Sequence, residues 1–320
     1  MDYHLLIDNL TNPALLFFVL GIFAVYLKSD LEIPPNSSKF ISLYLLFAIG
    51  FKGGQELSHE KFNTEIGLSM VFGILVSLTI PLYAFFILKR KLNVFDAGAV
   101  ASAYGSVSAV TFVTAISYLE SQKLVLQGHM VAIMALMESP AIIVGLLLIS
   151  IFNKDEKEII EKRVAIKHSF TNGSVLLIIG SLIIGLLANA SQAEGIKPFT
   201  NDLFKGFLAI FLLDMGITSG KKLKSFFSFG WFPIIFAIVI PLFNGCVIAV
   251  LSSFVTQDIA SRFMFAILAA SASYIAVPAA MKISVPQSNP GLFLPMALAI
   301  TFPINITIGI PIYFFVVQIT

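Results

Sequence analysis

The chain has 320 residues, of which 58% are hydrophobic and 12% charged, and its formal net charge is +2. This near-neutral charge gives nucleic-acid binding no electrostatic basis, while apolar runs of about 20 residues predict a polytopic helical membrane protein. The single cysteine, Cys246, excludes a disulfide framework and a cysteine-based metal site.

Ten apolar segments predict ten transmembrane helices. The first 27 residues contain no Lys or Arg, so the first segment is predicted to be a retained span and not a signal peptide. The predicted spans cover roughly residues 12–28, 38–53, 66–88, 95–119, 125–152, 172–191, 203–219, 226–254, 258–281 and 291–317.

Basic residues predict the orientation of these spans. An even number of spans places both termini on one side of the membrane. Of the 20 Lys and Arg residues, 6 lie on the side of the termini and the other 14 lie on the opposite side. The positive-inside rule then places both termini outside the cytoplasm. We expect a multi-pass protein of the bacterial inner membrane, embedded in lipid, with periplasmic or extracellular termini.

The polar segment 153–171 divides the chain nearly in half. Its mixed charges indicate a solvated cytoplasmic linker, with a partner-docking segment as the alternative. Residues 1–152 and 172–320 then hold five predicted spans each, in opposite orientations. Near-equal offsets support a repeat, since they align Gly50 with Gly216, Ser106 with Ser271, and Pro140 with Pro303. Inverted five-helix repeats are an architecture of secondary transporters, whose site lies where broken helices meet.

Two stretches rich in small and hydroxyl residues, 101–115 and 268–280, interrupt the fourth and ninth spans. An offset of 165 superposes their Ser-x-Ser pairs, which are Ser106 and Ser108 in the first and Ser271 and Ser273 in the second. Pro278 predicts a helix break near Ala276, because proline suits the first turn of a new helix. Two broken helices that face each other would present positive helix ends and hydroxyls, which suits a small oxyanion. The alternative is that small residues only allow close helix packing.

Glu138 in the fifth span has apolar neighbours and no basic residue in the same span. An unpaired carboxylate at membrane depth must be neutralised. Oxygen ligands suit sodium, so we predict a sodium site from Glu138 and Ser139, with Thr111, Thr301 and Asn305 as further candidates. The alternatives for Glu138 are a proton carrier and a protonated structural glutamate.

Other polar residues give weaker predictions. Asp214 in the seventh span fits a structural or a functional role, and Lys52 is predicted to reach the membrane surface. The four histidines are scattered and do not indicate a metal site. No hydrolase, protease or nucleotide-binding motif is present, so the sequence does not predict an enzyme or a cofactor.

The chain resembles the sodium-dependent bicarbonate permeases of the SbtA type over nearly its whole length. The resemblance is carried by FKGGQEL (51–57), YGSVSAVTFVTAISYLESQK (104–123), MESPA (137–141), GFLAIFLLDMGI (206–217) and the run from ASASYIAVPAAM to VPQSNPG (270–291). It implies an all-α polytopic membrane protein of ten transmembrane helices in two inverted five-helix repeats, with broken, crossing helices four and nine. It also implies a mobile core, a trimerising scaffold, and sodium-coupled bicarbonate uptake.

The resemblance also implies which residues bind the anion. These are the two serine stretches, with Gly105, Ser106, Val107 and Ser108 in the first and Ser271, Ala272, Ser273 and Tyr274 in the second. Cyanobacterial members carry an acidic residue where Tyr274 stands here. The linker is also shorter than theirs, so no PII-like regulatory partner is expected.

Three functions follow as hypotheses. The leading one is an elevator-type transporter that couples bicarbonate uptake to sodium. The second is a sodium symporter of another small organic or inorganic anion, because a hydroxyl-lined pocket does not specify bicarbonate. The third is a non-transporting membrane sensor that signals through the linker.

Overall fold

A computed structural model describes residues 13–59, 63–153, 173–226, 229–274 and 276–320. All regular structure within these ranges is helical. The predicted linker 153–171 lies outside the described residues except for Asn153. The helical segments are α1 (Pro13–Tyr26), α2 (Pro35–His59), α3 (Thr64–Leu88), α4 (Val94–Gly105), α5 (Ala109–Ser121), α6 (His129–Phe152), α7 (Gly173–Leu187), α8 (Ala190–Lys197), α9 (Phe204–Phe226), α10 (Trp231–Leu251), α11 (Ile259–Ala270), α12 (Ala276–Ser284) and α13 (Pro290–Ile319, with alternating α and π turns).

Six helical segments within the described ranges are long and apolar enough to cross a membrane. Three shorter apolar helices lie in α1, α7 and α11. These lengths and compositions confirm a multi-pass helical membrane protein. The six segments are Thr64–Leu88, Val94–Ser121, His129–Phe152, Ala190–Lys221, Trp231–Phe254 and Pro290–Ile319.

The helices pack in two groups. In the four-helix group, α1 packs against α9 and α2 packs against α7. The eight-segment group consists of α3 to α6 and α10 to α13. In it, α3, α4 and α6 pack on one another, and α10 packs on α11 and α13. The segment α5 packs mainly on α11 of its own group and only lightly on α2 and α9. The chain therefore separates into two sets of helices, which meet mainly where α9 packs on α13 and where α2 and α7 pack on α6.

Glycines bring the helices of the four-helix group into backbone contact. A Cβ atom placed on Gly185 of α7 would lie 2.2 Å from the carbonyl oxygen of Phe51 and 3.1 Å from the Cα atom of Gly54. A Cβ atom on Gly216 of α9 would lie 2.1 Å from the carbonyl oxygen of Phe18. In each crossing, the contacted carbonyl belongs to the residue three positions before the facing glycine, which is Gly54 on α2 and Gly21 on α1. The pair α2–α7 and the pair α1–α9 therefore cross with the same geometry.

Candidate functional site

Two chain breaks lie at the stretches that the sequence analysis singled out. Helix α4 ends at Gly105 and α5 begins at Ala109, while α11 ends at Ala270 and α12 begins at Ala276. Both predicted interruptions are confirmed, and Pro278 lies in the first turn of α12, where proline was expected.

The two breaks have matching backbone conformations. Ser106 follows α4 with φ −88° and ψ −178°, and Ser271 follows α11 with φ −83° and ψ 166°. Two residues further along each break, a serine side chain accepts a hydrogen bond from the start of the next helix. Ser108 Oγ accepts from the backbone N–H of Thr111 at 3.2 Å, and Ser273 Oγ accepts from Val277 at 3.3 Å. Each Ser-x-Ser pair therefore ends one helix and begins the next.

The breaks also bind each other. The backbone N–H of Ser108 donates to Ser271 Oγ at 3.0 Å, and the backbone N–H of Ser273 donates to the Ala103 carbonyl at 2.8 Å. These bonds join residues that lie more than 160 positions apart in sequence. Two buried N–H groups that helix geometry leaves free are thereby satisfied across the two halves of the chain.

One serine departs from this matched arrangement. If the contacts were symmetric, Ser106 Oγ would accept the Ser273 N–H as Ser271 Oγ accepts the Ser108 N–H. That N–H donates to the Ala103 carbonyl instead, and Ser106 Oγ is buried with no hydrogen-bond partner among the described residues. Because a buried hydroxyl without a partner is costly, Ser106 is, of the four serines in the breaks, the one whose hydroxyl is most available to a ligand.

A small cavity of about 30 Å³ lies beside the breaks. Its volume corresponds to about one water-sized group. Helices α2, α6 and α7 close it, and side chains from both breaks enter its wall. The lining residues are Leu46, Val107, Ser108, Ala109, Met134, Ala135, Glu138, Ile178, Ser273, Tyr274 and Ala276.

Glu138 is the one carboxylate in this wall. No described residue forms an ion pair or a hydrogen bond with its carboxyl group. An ionised carboxylate in such surroundings needs a cation, because an uncompensated charge at membrane depth is unstable. The structure therefore brings Glu138 and the serines Ser108 and Ser273 to one cavity, whereas Ser106 and Ser271 do not line it.

Of the other predicted break residues, Val107 and Tyr274 also line the cavity, whereas Gly105 and Ala272 do not. The Tyr274 hydroxyl lies near Ser108. Ala272 is buried between the two serines of its break. Gly105 ends α4 where space is tight, because a Cβ atom there would lie 2.1 Å from Pro81 Cγ.

The predicted sodium ligands do not all reach Glu138. Thr111 Oγ1 donates to Ser108 Oγ at 3.0 Å and so lies next to the cavity wall. Ser139 is buried in α6 but does not line the cavity. Thr301 and Asn305 lie on α13, outside the cavity wall.

Both α13 residues are engaged by tyrosines that the sequence analysis did not single out. Tyr104 and Thr301 share a hydrogen bond between their hydroxyls at 2.7 Å, and Tyr313 donates to Asn305 Oδ1 at 2.8 Å. Asn305 in turn donates to the carbonyl of Ala270, the last residue of α11, at 2.7 Å. A buried tyrosine needs a partner for its hydroxyl, which is the signal that could have pointed to these residues.

Other sequence-predicted polar residues have structural partners. Asp214 is buried and accepts a hydrogen bond from Ser38 of α2. Lys52 forms an ion pair with Glu120 of α5. Within the described ranges, no group of three His, Cys, Asp or Glu residues could hold a metal ion.

The family model of the Na+-dependent bicarbonate transporter superfamily matches residues 13–318. This match covers nearly the whole chain and includes both breaks. The chain belongs to this superfamily. No match was found among curated proteins.

Membership confirms the resemblance seen in the sequence. It supports bicarbonate as the transported anion and Na+ as the ion on which transport depends. It also implies a transporter and not an enzyme. Glu138 is partly buried and the described residues offer it no cation, which is consistent with this sodium dependence.

Proposed function

We propose that this protein takes up bicarbonate together with sodium at the crossing of the two breaks. The observation that carries the proposal is the pair of bonds from Ser108 to Ser271 and from Ser273 to Ala103, next to a cavity that contains Glu138. The anion is bound by the hydroxyl groups and by the starts of α5 and α12, where helix dipoles favour negative charge. The proposed anion residues are Gly105, Ser106, Val107, Ser108, Ser271, Ala272, Ser273 and Tyr274.

Sodium binds at Glu138 in this proposal. Thr111 and Ser139 are the further proposed ligands nearest to Glu138. Ser139 is its neighbour in sequence, and Thr111 bonds to Ser108 in the same cavity wall. Thr301 and Asn305 are engaged with Tyr104 and Tyr313 here, so they serve as ligands only after a rearrangement of α13. Coupling follows from charge, because bicarbonate without sodium would place two negative charges in the site together with ionised Glu138. Sodium neutralises Glu138, so the one remaining negative charge, that of bicarbonate, faces the starts of α5 and α12.

Movement occurs between the two groups of helices. We propose that the eight-segment group carries the ions past the four-helix group as an elevator, and that the latter forms a scaffold that assembles as a homotrimer. The chain crosses the inner membrane ten times as two inverted repeats, residues 1–152 and 172–320, with both termini outside. The matched glycine crossings of α2 with α7 and α1 with α9 support such a repeat.

The test is uptake of radiolabelled bicarbonate into proteoliposomes under an inward sodium gradient. We expect uptake that needs sodium outside and that stops when the gradient is collapsed with a sodium ionophore. Sodium-driven uptake of another anion, without uptake of bicarbonate, would show that the other anion is the substrate. Binding without flux would instead support the sensor.

Replacing Ser106 with alanine is expected to raise the KM for bicarbonate roughly tenfold or more, because a hydrogen bond to a charged ligand contributes about 1.5–3 kcal/mol and about 1.4 kcal/mol corresponds to tenfold. The thermal stability of the unliganded protein should hardly change, since Ser106 Oγ has no partner to lose. Ser271→Ala should raise KM and also lower stability, because the Ser108 N–H loses its acceptor. Initial uptake rates and thermal unfolding in detergent measure both effects. An unchanged KM in Ser106→Ala would remove Ser106 from the site.

A further inference from the structure

A second, larger cavity of about 430 Å³ lies where α2, α5 and the beginning of α9 meet. Its volume is within the range of small-molecule sites, which are mostly apolar with a few convergent polar groups. Its apolar wall includes Ile49, Ile116 and Phe204. Four charged side chains also line it, namely Lys52, Glu56, Glu120 and Lys205.

The two cavities follow one another along the same helices. On α2, Leu46 lines the small cavity, whereas Ile49 and Lys52 line the large one. On α5, Ala109 lines the small cavity and Ile116 the large one. Seven residues of helix correspond to about 10 Å, so the large cavity lies adjacent to the small one in the groove between α2 and α5. This placement is that of an access vestibule.

Two lysines from the four-helix group converge on one carboxylate in this vestibule. Lys52 Nζ lies 3.1 Å from Glu120 Oε1, and Lys205 Nζ lies 3.0 Å from Glu120 Oε2. The three side chains are solvated, with exposed fractions of 42%, 67% and 31% for Lys52, Lys205 and Glu120. Solvated ion pairs contribute little to stability, so the carboxylate between the lysines is exchangeable.

Bicarbonate carries a carboxylate group, and Glu120 shows that two ammonium groups hold a carboxylate at this point. Each ammonium group has three donors, of which one points to Glu120 in this arrangement. Glu56, one helical turn beyond Lys52, brings the total charge of the lining to zero. The positive charge is therefore local to the lysine pair, and Lys52 stands closer along α2 to the small cavity than Glu56 does.

We infer that Lys52 and Lys205 form a transient anion site in the vestibule, where a small carboxylate-like oxyanion replaces Glu120 before it reaches the serine breaks. This inference rests on the proposed function for the identity of the anion. Glu120 acts as the built-in competitor that keeps the site from binding the anion too tightly for onward movement.

Opposite charge changes should have opposite effects on uptake. Lys52→Gln with Lys205→Gln is expected to raise the KM for bicarbonate roughly fivefold at low salt with little change in kcat, because attraction of the anion is lost. Glu120→Gln should lower KM roughly twofold, because the competing charge is removed. Lys197→Gln is the matched control, since among the described residues this exposed lysine pairs with Glu194 on α8 alone. If Glu120→Gln and the double lysine variant both raise KM, the ion pairs merely link the helices and the inference is overturned.

A second measurement needs no transport. Val125 is 66% exposed and lines the vestibule, so Val125→Cys in a Cys246→Ala background gives a thiol reporter there. We compare a sulfonate-bearing and a trimethylammonium-bearing methanethiosulfonate reagent, each labelling rate being divided by that reagent's rate with a free thiol in solution. The ratio of the normalised sulfonate rate to the normalised trimethylammonium rate is expected to be roughly threefold at low salt. This ratio should fall in the double lysine variant, rise in Glu120→Gln and stay constant in Lys197→Gln.

The two measurements separate the failure of this inference from the failure of the proposed function. If the labelling ratio depends on the lysines but no bicarbonate flux is found, the vestibule site is supported and bicarbonate transport is refuted. If sodium-driven bicarbonate flux is normal but the labelling ratio is the same in the double lysine variant, the proposed function is supported and the vestibule site is refuted.

Discussion

Glu138→Gln is expected to raise the apparent KM for sodium roughly tenfold or more, with correspondingly slower uptake at low sodium. Glutamine keeps the size and the polarity of the side chain but removes the charge that sodium compensates. A unit charge interacts strongly with a cation in a site of low dielectric constant, and tenfold in affinity corresponds to about 1.4 kcal/mol. The measurement is the initial rate of bicarbonate uptake into proteoliposomes as a function of external sodium.

The control for this variant is Glu194→Gln, which removes an exposed carboxylate of α8 that pairs with Lys197. It should retain the sodium dependence of the unmodified protein. Sodium-dependent uptake at normal sodium affinity in Glu138→Gln would exclude Glu138 from coupling. Uptake driven by a proton gradient without sodium, and lost in Glu138→Gln, would make Glu138 a proton carrier instead.

Gly185→Ala is expected to destabilise the protein by roughly 3 kcal/mol or more, because overpacking against backbone leaves no side chain to move aside. The new methyl group would lie 2.2 Å from the carbonyl oxygen of Phe51, so α2 and α7 would have to separate. Since these helices belong to the proposed scaffold, assembly should fail together with folding. Thermal unfolding in detergent and size-exclusion chromatography report both effects.

Gly180→Ala is the matched control on the same helix. A Cβ atom at Gly180 meets nothing within 4 Å, and alanine is the better helix former by up to about 1 kcal/mol. We therefore expect unchanged or slightly higher stability. Equal loss of stability in both variants would mean that α7 tolerates no methyl group anywhere, and that the tight crossing at Gly185 has no special importance.

The sequence predicted the breaks well because their causes are local. A serine can cap a helix that begins at the next residue, and Pro278 suits a first turn, so both signals can be recognised without knowing the packing. The offset of 165 also pairs Ser106 with Ser271 and Ser108 with Ser273, and these pairs occupy equivalent positions in the two breaks. Local chemistry and repetition were sufficient for this part of the site.

The contacts between the halves could not be predicted in the same way. The sequence alignment paired Gly50 with Gly216, whereas the glycine with the equivalent backbone contact is Gly54, one helical turn further on. Small residues four positions apart fit either register, so only packing decides between them. The unpartnered Ser106 hydroxyl likewise depends on where the Ser273 N–H finds an acceptor, which is a property of the assembled structure.

The bond from the Ser108 N–H to Ser271 Oγ has a consequence for how such a protein could arise. A fragment that ended before residue 172 would lack the acceptor, and a fragment that began there would lack the donor. The bond therefore exists only where both halves of the chain are present. If the two halves are the inverted repeats proposed above, an ancestral single-unit gene would have had to produce subunits that inserted in both directions and met face to face before fusion made the pairing permanent.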